Sequence, residues 1–176
     1  MLGIEKFWAV RRFLVTGHAV LKGAWRSLWL SRLGAEVHGL ALAPPTEPSL
    51  YQVAGVGKLL ASDMRTDIRG LNDVLSAFES IKPEVVFHLA AQSLVNYSDE
   101  YPIEAFAVNV LGTAHVLEAV RHSPSVRAVV IVTTDKCYEN REWLHPYRET
   151  DRLGGHDPYS ASKACAELVA ATWRNS

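Results

Sequence analysis

The feature that most constrains the fold is a glycine-bearing turn between an apolar segment and an amphipathic segment near the start of the chain. The residues Arg12-Phe-Leu-Val-Thr16 predict a buried strand, and Gly17 and Gly23 follow it, six positions apart. Glycines at a strand-to-helix turn let the backbone approach a pyrophosphate, and the free amides of the helix N-terminus then point at it. The sequence therefore predicts a dinucleotide phosphate site at this turn.

One residue of the turn departs from the usual pattern. In the template Thr-Gly-x-x-Gly-x-x-Gly the middle glycine falls at position 20, where this chain has Val20. A branched side chain fills space that the phosphate needs, and it resists the dihedral angles that glycine permits. We therefore expect Val20 to weaken binding of the dinucleotide.

Apolar segments and segments of helical periodicity alternate along the chain, an order typical of parallel strands joined by crossover helices. Strands are predicted at residues 12–16, 36–42, 84–90 and 126–133, with a short extended segment that ends near 67–68. Helices are predicted after the glycine turn and at 71–81, 102–122 and 159–173, with an irregular loop at 46–57. The near-continuous apolarity of the last two strands predicts that they are buried.

The helix after the glycine turn shows a clear apolar periodicity. Its large apolar side chains recur at helical spacing at Trp25, Leu28, Trp29 and Leu33, and Gly34 follows as a C-terminal glycine. We expect this face of the helix to cover the sheet.

Together these patterns predict an α/β fold with a doubly wound, Rossmann-like parallel sheet. We expect residues 1–176 to form one dinucleotide-binding domain, because a chain of 176 residues with 48% hydrophobic residues suits a single core. Three loops are predicted at the ligand-binding carboxyl edge: the glycine turn, Ala90-Ala91-Gln92 and Thr133-Thr134-Asp135-Lys136. Loops after strands are polar in any case, so each loop alone is also consistent with a solvated turn.

The charge and hydropathy of the chain argue against several classes of function. The formal net charge of -1 provides no basic field for nucleic acid or anionic lipid. No apolar run approaches the roughly 20 residues that span a bilayer, and Glu5 and Lys6 interrupt the apolar N-terminus where a signal peptide has its core. We expect a cytoplasmic protein without nucleic-acid or membrane partners and without a metal site.

The two cysteines, Cys137 and Cys165, are expected to be reduced thiols, because a chain of this size folds without disulfides. Cys137 follows Lys136, a neighbour that favours a reactive thiolate. A plain packing role is the alternative, and the sequence alone leaves both interpretations open.

The strongest chemical signal is the pair Tyr159 and Lys163, which lie four residues apart and therefore on one face of the last predicted helix. A free tyrosine has a pKa of about 10 and is a poor base at neutral pH, but a neighbouring ammonium stabilises its phenolate. The phenolate can take a proton from a sugar hydroxyl, and the lysine can also bind a nicotinamide ribose. Pairs of this kind also occur by chance on solvated helix faces, so the context decides.

In this context the residues resemble the extended short-chain dehydrogenase/reductases, and among them the CDP-glucose 4,6-dehydratases. The resemblance extends over essentially the whole chain. The matching stretches are 15–18 with 21–25 at the glycine turn, Pro44-Pro-Thr-Glu-Pro-Ser-Leu50, Asp67-Ile-Arg69, Val86-Phe-His-Leu-Ala-Ala-Gln92, Asn109-Val-Leu-Gly-Thr113, 134–143 and Asp157-Pro-Tyr-Ser-Ala-Ser-Lys163. The pair Asp135 and Lys136 is discriminating, because the related dTDP-glucose dehydratases carry Asp-Glu there.

The resemblance implies an internal redox reaction that uses NAD and converts CDP-glucose to CDP-4-keto-6-deoxyglucose. Tyr159, assisted by Lys163, would remove the proton of the C4 hydroxyl while NAD accepts the C4 hydride, and Thr134 would hold the C4 oxygen. Lys136 would take part in removing the C5 proton, and Asp135 would protonate the departing C6 hydroxyl before the hydride returns to C6. A solvated turn pair is the alternative interpretation of Asp135 and Lys136.

The resemblance also implies the cofactor contacts. Gly17 and Gly23 would line the pyrophosphate, Asp67 and Ile68 the adenine, Ala90, Ala91 and Gln92 the ribose and nicotinamide side, and Tyr159 and Lys163 the nicotinamide ribose. Asn109 is either a ligand contact or a structural hydrogen-bonding residue of its helix. The second strand lacks the acidic residue that usually binds the adenosine ribose, and Ser49 and Leu50 are candidates to replace it.

At Ser176 the resembling enzymes have reached only the middle of their length, so the resemblance implies that the smaller sugar-nucleotide-binding domain is absent from this chain. It also implies a homodimer through helices 102–122 and 159–173, and apolar surface left uncovered on the sheet edge and the last helix. One alternative is a nucleotide-binding module without turnover, which Val20 favours. Another is a different nucleotide-sugar epimerase or reductase of the same fold, which Asp135 and Lys136 argue against.

Overall fold

The predicted parallel sheet is present in the computed structural model, which describes residues 7–175. The strands are β1 (Arg12–Thr16), β2 (Glu36–Ala41), β3 (Ser62–Arg65), β4 (Val85–His88) and β5 (Ala128–Ile131). All neighbouring pairs are parallel, and the order across the sheet is β3-β2-β1-β4-β5. The order reverses between β1 and β4, so the doubly wound fold is confirmed and the carboxyl ends of these two strands flank the switch point.

The helices follow the predicted order, with additions. They are α1 (Leu21–Arg32), α2 (Leu50–Val53), α3 (Leu71–Ile81), α4 (Val95–Glu100), α5 (Pro102–Phe106), α6 (Gly112–Arg121) and α7 (Pro158–Asn175). The predicted irregular loop at 46–57 contains α2 and the start of a 3-10 turn, Val56–Leu59, and α4 was not predicted at all. The predicted helix 102–122 is interrupted by a π-helical turn, Ala107–Leu111, which joins α5 to α6.

Two hydrophobic clusters, one on each face of the sheet, form the core. Side chains from β1 and β4 lie in both clusters, because successive residues of a strand point to opposite faces. On the first face they pack with α3 and α6, and the fully buried members include Leu14, Leu40, Val74, Phe78, Val86 and Val116. On the second face they pack with α1, and the members are Phe13, Val15, Leu30, Val37 and Phe87.

The predicted buried face of α1 is wrong. Trp25 is 60% exposed and Trp29 61% exposed, whereas the helix buries Gly23, Ala24, Ser27 and Leu30 against the sheet. Small side chains allow the helix backbone to approach the strands closely, so the buried stripe of α1 carries only one large apolar residue. The predicted end of the helix is confirmed, since Gly34 has a positive φ of 81° directly after the C-terminal turn.

The last strand also differs from the prediction, because β5 is not buried on both faces. Its residues alternate between exposed and half-buried, and Val130 is 44% exposed. The strand forms one edge of the sheet in the part of the chain that the structure describes. By contrast Val86, Phe87 and His88 of β4 are buried, as the apolar run predicted, since β4 lies between β1 and β5.

The segment Pro102–Arg121 is longer and more apolar than the sequence analysis allowed. By length and composition alone its 20 residues could cross a membrane, contrary to the expectation that no such run exists. A helix in the core of a folded domain passes the same test, and Val116 and Ala119 of this segment belong to the first cluster. The segment is therefore weak support for a membrane span.

The burial of α1 predicts losses of stability of different size for two truncations on the same helix. Leu30→Ala should lower the free energy of unfolding by about 2–5 kcal/mol, because it opens a cavity beneath a side chain that is 1% exposed. Trp25→Ala should cost less than about 1 kcal/mol, since most of that ring is in water. Urea unfolding of the two variants measures both values. A larger loss of unfolding free energy from Trp25→Ala than from Leu30→Ala would indicate that the Trp25 face is buried, as the periodicity predicts.

Candidate active site

The glycine turn brings the end of β1 into direct contact with the loop after β4. Gly17 has a positive φ of 74°, and a Cβ built on it would lie 2.7 Å from the amide nitrogen of Ala90. A Cβ built on Gly23 would lie 2.0 Å from the carbonyl oxygen of Gly17. Both positions therefore require glycine, because the backbone itself occupies the space of a side chain.

Val20 is the N-cap residue of α1 and has an ordinary extended backbone. Its φ of −92° and ψ of 166° lie where valine is common, so the dihedral strain expected from the sequence is absent. No side chain caps this end of α1, and the first amides of the helix lack intrahelical acceptors, as at any helix N-terminus. The turn thus offers amide donors beside two glycines, and the steric effect of Val20 on a phosphate remains a prediction.

The predicted adenine side of the site lies after β3. The carboxylate of Asp67 accepts hydrogen bonds from the guanidinium and the amide of Arg69, and the guanidinium is the main cause of the lowered pKa of Asp67. Ile68 is buried, and its side chain fills the space beside Gly112 at the start of α6. Asp67 and Ile68 therefore sit at the carboxyl edge of the sheet, beside β2 and β1.

Ser49, a candidate to replace the acidic ribose-binding residue after β2, makes its hydrogen bonds within the protein. Ser49 is the N-cap of α2, where its hydroxyl accepts from the amide of Gln52 and donates to the Gln52 side chain. The carboxylate of Asp63, on β3, lies beside the glycine turn. Asp63 binds Nε2 of the buried His18 at 2.8 Å and also accepts from Arg65, and the sequence analysis did not identify this carboxylate.

Asn109, in the π-helical turn, hydrogen-bonds the backbone of the loop after β4. The Oδ1 atom of Asn109 accepts from the Gln92 amide at 2.9 Å, and its Nδ2 donates to the Gln92 carbonyl at 2.9 Å and to Ser162 Oγ at 2.8 Å. The whole amide group is thus engaged by protein atoms. Of the two interpretations of Asn109, this geometry favours the structural one, in which it places Ala90, Ala91 and Gln92.

The catalytic pair of the prediction lies in the first turns of α7. Asp157 caps this helix by accepting from the amide and hydroxyl of Ser160, and Tyr159 donates its amide to the buried Ser98 Oγ of α4 at 3.1 Å. Lys163 lies one turn after Tyr159 and is 7% exposed. Its Nζ donates to the carbonyl of Val132, the residue after β5, at 3.2 Å.

The electrostatics of Lys163 follow from this burial. Desolvation lowers the pKa of Lys163 from 10.5 to about 8, with a contribution from Lys22 in the same direction, and Glu167 opposes the shift. At neutral pH the ammonium form still predominates. α7 therefore carries a buried cation one helical turn after Tyr159.

The predicted acid-base residues lie on a 3-10 turn, Asp135–Cys137, that follows β5. Thr134 caps the turn: its hydroxyl donates to Asp135 at 3.0 Å and accepts from the Lys136 amide at 3.3 Å. The side chains of Asp135 and Lys136 are exposed. Lys136 contributes to the lowered pKa of Asp157, the cap of α7, so this turn and the catalytic helix are neighbours.

The environment of Cys137, the last residue of this turn, distinguishes between its two interpretations. Cys137 is buried, and burial raises its pKa, so the thiolate is disfavoured. This favours packing over reactivity. Cys165 is half-buried, and both cysteines are free thiols as expected.

The structure thus brings the glycine turn, Ala90 to Gln92, the Thr134–Lys136 turn and the Tyr159–Lys163 helix to one edge of the sheet. Sequence reasoning missed the supporting residues Thr16, His88, Ser98, Thr113 and Ser162. All of them except Ser98 lie inside a quoted motif, but an ordinary polar side chain gives no signal of its partner before the chain is folded.

Known proteins share both the sequence and the fold. A family model for GDP-mannose 4,6 dehydratase matches residues 14–176. The chain belongs to this family. It is 50% identical over 172 residues to the CDP-glucose 4,6-dehydratase of Salmonella typhimurium, and the alignment covers 98% of this chain and 48% of that enzyme. The resemblance drawn from the motifs is therefore confirmed.

Solved structures of the family's fold also match. The UDP-glucose 4-epimerase of Thermus thermophilus, in complex with NAD, has a TM-score of 0.81 at 32% identity, over 93% of this chain and 51% of that one. TunA, an NAD-dependent NDP-hexosamine 5,6-dehydratase involved in tunicamycin biosynthesis, has a TM-score of 0.76 at 25% identity, over 94% and 50%. The chain spans about half the length of these relatives.

The burial of Lys163 predicts a pH-dependent effect of Lys163→Met. Below pH 8 the folded protein buries an ammonium, so the variant should be more stable by about 2 kcal/mol at pH 7, after allowance for the lost hydrogen bond. Between pH 8 and 10.5 the unfolded lysine keeps a proton that the folded one has released, so the stability of the unsubstituted protein rises and the difference shrinks. Denaturant unfolding at several pH values measures the difference in unfolding free energy between the variant and the unsubstituted protein.

The exposed Lys58→Met variant is the control, and its effect should not change over this range. A gain from Lys163→Met that is the same at pH 7 and pH 10 would contradict the lowered pKa.

Proposed function

We propose that this chain carries the cofactor-binding and catalytic residues of a CDP-glucose 4,6-dehydratase, which forms CDP-4-keto-6-deoxyglucose. The observation that carries the proposal is the convergence of the Thr134–Lys136 turn with the Tyr159–Lys163 helix at the carboxyl edge of the sheet, after β5. The identity of 50% to a CDP-glucose 4,6-dehydratase supports the choice of substrate class, a nucleotide sugar.

The residues of the glycine turn fit a dinucleotide such as NAD. Gly17 and Gly23 leave no room for a Cβ, and the uncapped N-terminus of α1 supplies amide donors for a pyrophosphate. When bound there, NAD would take up a hydride from the sugar and return it. Lys163, with its ammonium held at the Val132 carbonyl, would hydrogen-bond the nicotinamide ribose.

In the proposed reaction the protein residues move protons from and to the sugar. Tyr159 takes the C4 hydroxyl proton, and the Lys163 ammonium stabilises its phenolate. Thr134 holds the C4 oxygen, Lys136 takes the C5 proton, and Asp135 protonates the departing C6 hydroxyl. Lys136 returns its proton to C5 when the hydride adds to C6. Both side chains of the Asp135–Lys136 pair are open to water in this structure, so the bound sugar must exclude water for the acid to hold a proton at neutral pH.

A homodimer and a cytoplasmic location belong to the same proposal. Large apolar side chains are exposed on α5, at the π-helical turn and on α7, at Ile103, Leu111 and Leu168. Pairing of these helices with those of a second copy would remove this surface from water.

The proposed activity is tested by incubation with NAD and CDP-glucose, followed by the alkaline absorbance of the 4-keto sugar. Product is expected, and Tyr159→Phe should reduce its rate by about 100-fold or more without loss of NADH binding, because only the phenol oxygen is removed. The control is UDP-glucose. Conversion of a nucleotide sugar without release of a 4-keto sugar would favour an epimerase or reductase, and NADH binding without conversion of any sugar would favour a module without turnover, the function that Val20 supports.

Val20→Gly should strengthen cofactor binding. Removal of the branched side chain relieves an overpacking penalty of about 1–3 kcal/mol, so the Kd for NADH should fall by at least about fivefold. Titration of NADH fluorescence measures the Kd, with Val10→Ala as the control, because Val10 is exposed and lies before the amino end of β1. Equal affinities for the unsubstituted protein and Val20→Gly would show that the valine leaves the phosphates enough space.

A further inference from the structure

A buried histidine at the carboxyl end of β4 joins the two halves of the site. His88 is 3% exposed, and each of its ring nitrogens meets a threonine hydroxyl. Its Nδ1 lies 2.7 Å from Thr16 Oγ1, at the end of β1, and its Nε2 lies 3.0 Å from Thr113 Oγ1, at the start of α6. The ring thus bridges the strand that leads into the glycine turn and the helix behind the catalytic helix.

The partners of Thr16 and Thr113 fix the direction of the hydrogen bonds to His88. The Thr16 hydroxyl oxygen accepts from the Ala90 amide at 3.1 Å, and it shares the Leu89 amide, at 3.2 Å, with the Thr16 carbonyl at 3.1 Å. The Thr113 hydroxyl has one proton and donates it to the Asn109 carbonyl, so His88 Nε2 must donate to Thr113, and Thr16 must donate to Nδ1 of the neutral ring. Nδ1 is therefore an acceptor, and the single proton of the neutral ring lies on Nε2.

The hydrogen bonds from Thr16 through His88 and Thr113 to the Asn109 carbonyl form a series, and those after His88 run in the same direction as the first. His88 Nε2 donates to Thr113 Oγ1, and the Thr113 hydroxyl donates in turn to the Asn109 carbonyl at 2.6 Å. That carbonyl belongs to the π-helical turn, where the regular helical pairing is broken. Complete burial also lowers the pKa of His88 to about 3, so the ring is neutral and cannot reverse the series by gaining a proton near neutral pH.

Both ends of the series reach the candidate site. At one end, Ala90 is the residue whose amide nitrogen lies against Gly17 in the glycine turn. At the other end, the Asn109 side chain holds Ser162, and Ser162 Oγ donates to the Tyr159 carbonyl at 2.7 Å. A shift of the imidazole would therefore be transmitted to the turn and to the helix together.

We propose that His88 is a positioning residue: through Thr16 and Thr113 it fixes the cofactor-binding turn relative to the helix that carries Tyr159 and Lys163. His88 itself touches neither cofactor nor sugar. The consequence for cofactor binding rests on the proposed function, whereas the hydrogen-bond series itself does not.

The test uses two matched variants of Thr113. Thr113→Val keeps the shape of the side chain and removes the hydroxyl, so the Nε2 proton of His88 loses its acceptor. Thr113→Ser keeps the hydroxyl and removes only a methyl group. Any effect that Thr113→Val shows and Thr113→Ser lacks therefore belongs to the two hydrogen bonds of the hydroxyl, with His88 and with the Asn109 carbonyl, and not to packing.

The first readout needs no ligand. Amide exchange at Ala90, which donates to Thr16 Oγ1, should accelerate by at least about fivefold in Thr113→Val and less than about twofold in Thr113→Ser. The Leu14 amide in the centre of β1 reports global stability and serves as the reference. Nitrogen NMR of the unsubstituted protein should show His88 protonated on Nε2 alone, and a proton on Nδ1 would overturn the proposal even if Thr113→Val did not fold.

The second readout is the Kd for NADH from fluorescence titration. It should rise by at least about fivefold in Thr113→Val and stay within about twofold in Thr113→Ser, because loss of one hydrogen bond costs about 1 kcal/mol. Unchanged exchange at Ala90 in Thr113→Val would refute the positioning role. If the unsubstituted protein binds no NADH, the proposed function fails, and exchange and NMR still decide the role of His88.

Discussion

The close contact between the glycine turn and the loop after β4 is the constraint on which the rest of the structure depends. With hydrogen as the side chain at positions 17 and 23, one backbone segment lies directly against another, and a Cβ at either position would force them apart. The contact lets α1 start tightly against the sheet, which explains why the helix buries Ala24 and Ser27 and leaves Trp25 in water. It also aims the first amides of α1 at the carboxyl edge, where the other candidate site residues lie.

The regular part of this architecture could be predicted from the sequence because it depends on local periodicity. The bounds of α3 and β1 follow from the apolar spacing of adjacent residues. The buried face of α1 could not be predicted. Hydrophobic periodicity assigns burial to large apolar residues such as tryptophan, whereas this helix buries mainly glycine, alanine and serine. The exposure of β5 was missed for a related reason: apolar residues indicate a strand but not its position at the edge of a sheet.

The candidate site shows the same division. Tyr159, Lys163 and the glycine turn carry recognisable spacings, whereas Thr16, His88 and Thr113 acquire their meaning only when strands distant in sequence become neighbours. Their hydrogen bonds satisfy polar groups that burial would otherwise leave without partners, and each has only one direction. The site therefore combines one costly element, the buried ammonium of Lys163, with the satisfied neutral groups of Thr16, His88 and Thr113. Such a combination holds a charge in place where water alone would let the side chain move.

The same fold serves epimerases and dehydratases, so the fold cannot distinguish between these reactions. Oxidation of a sugar at C4 needs a base and a hydride acceptor, and a Tyr159–Lys163 helix beside a glycine turn supplies the base in either reaction. Loss of water from C5 and C6 additionally needs a proton donor and a second base, the roles proposed for Asp135 and Lys136. These two residues stand on a short exposed turn and not on the rigid helix, so a change of two side chains there alters the reaction while the cofactor edge stays the same. In the proposed function, the choice between elimination and epimerisation is therefore made at the Thr134–Lys136 turn, the part of the site that the core constrains least.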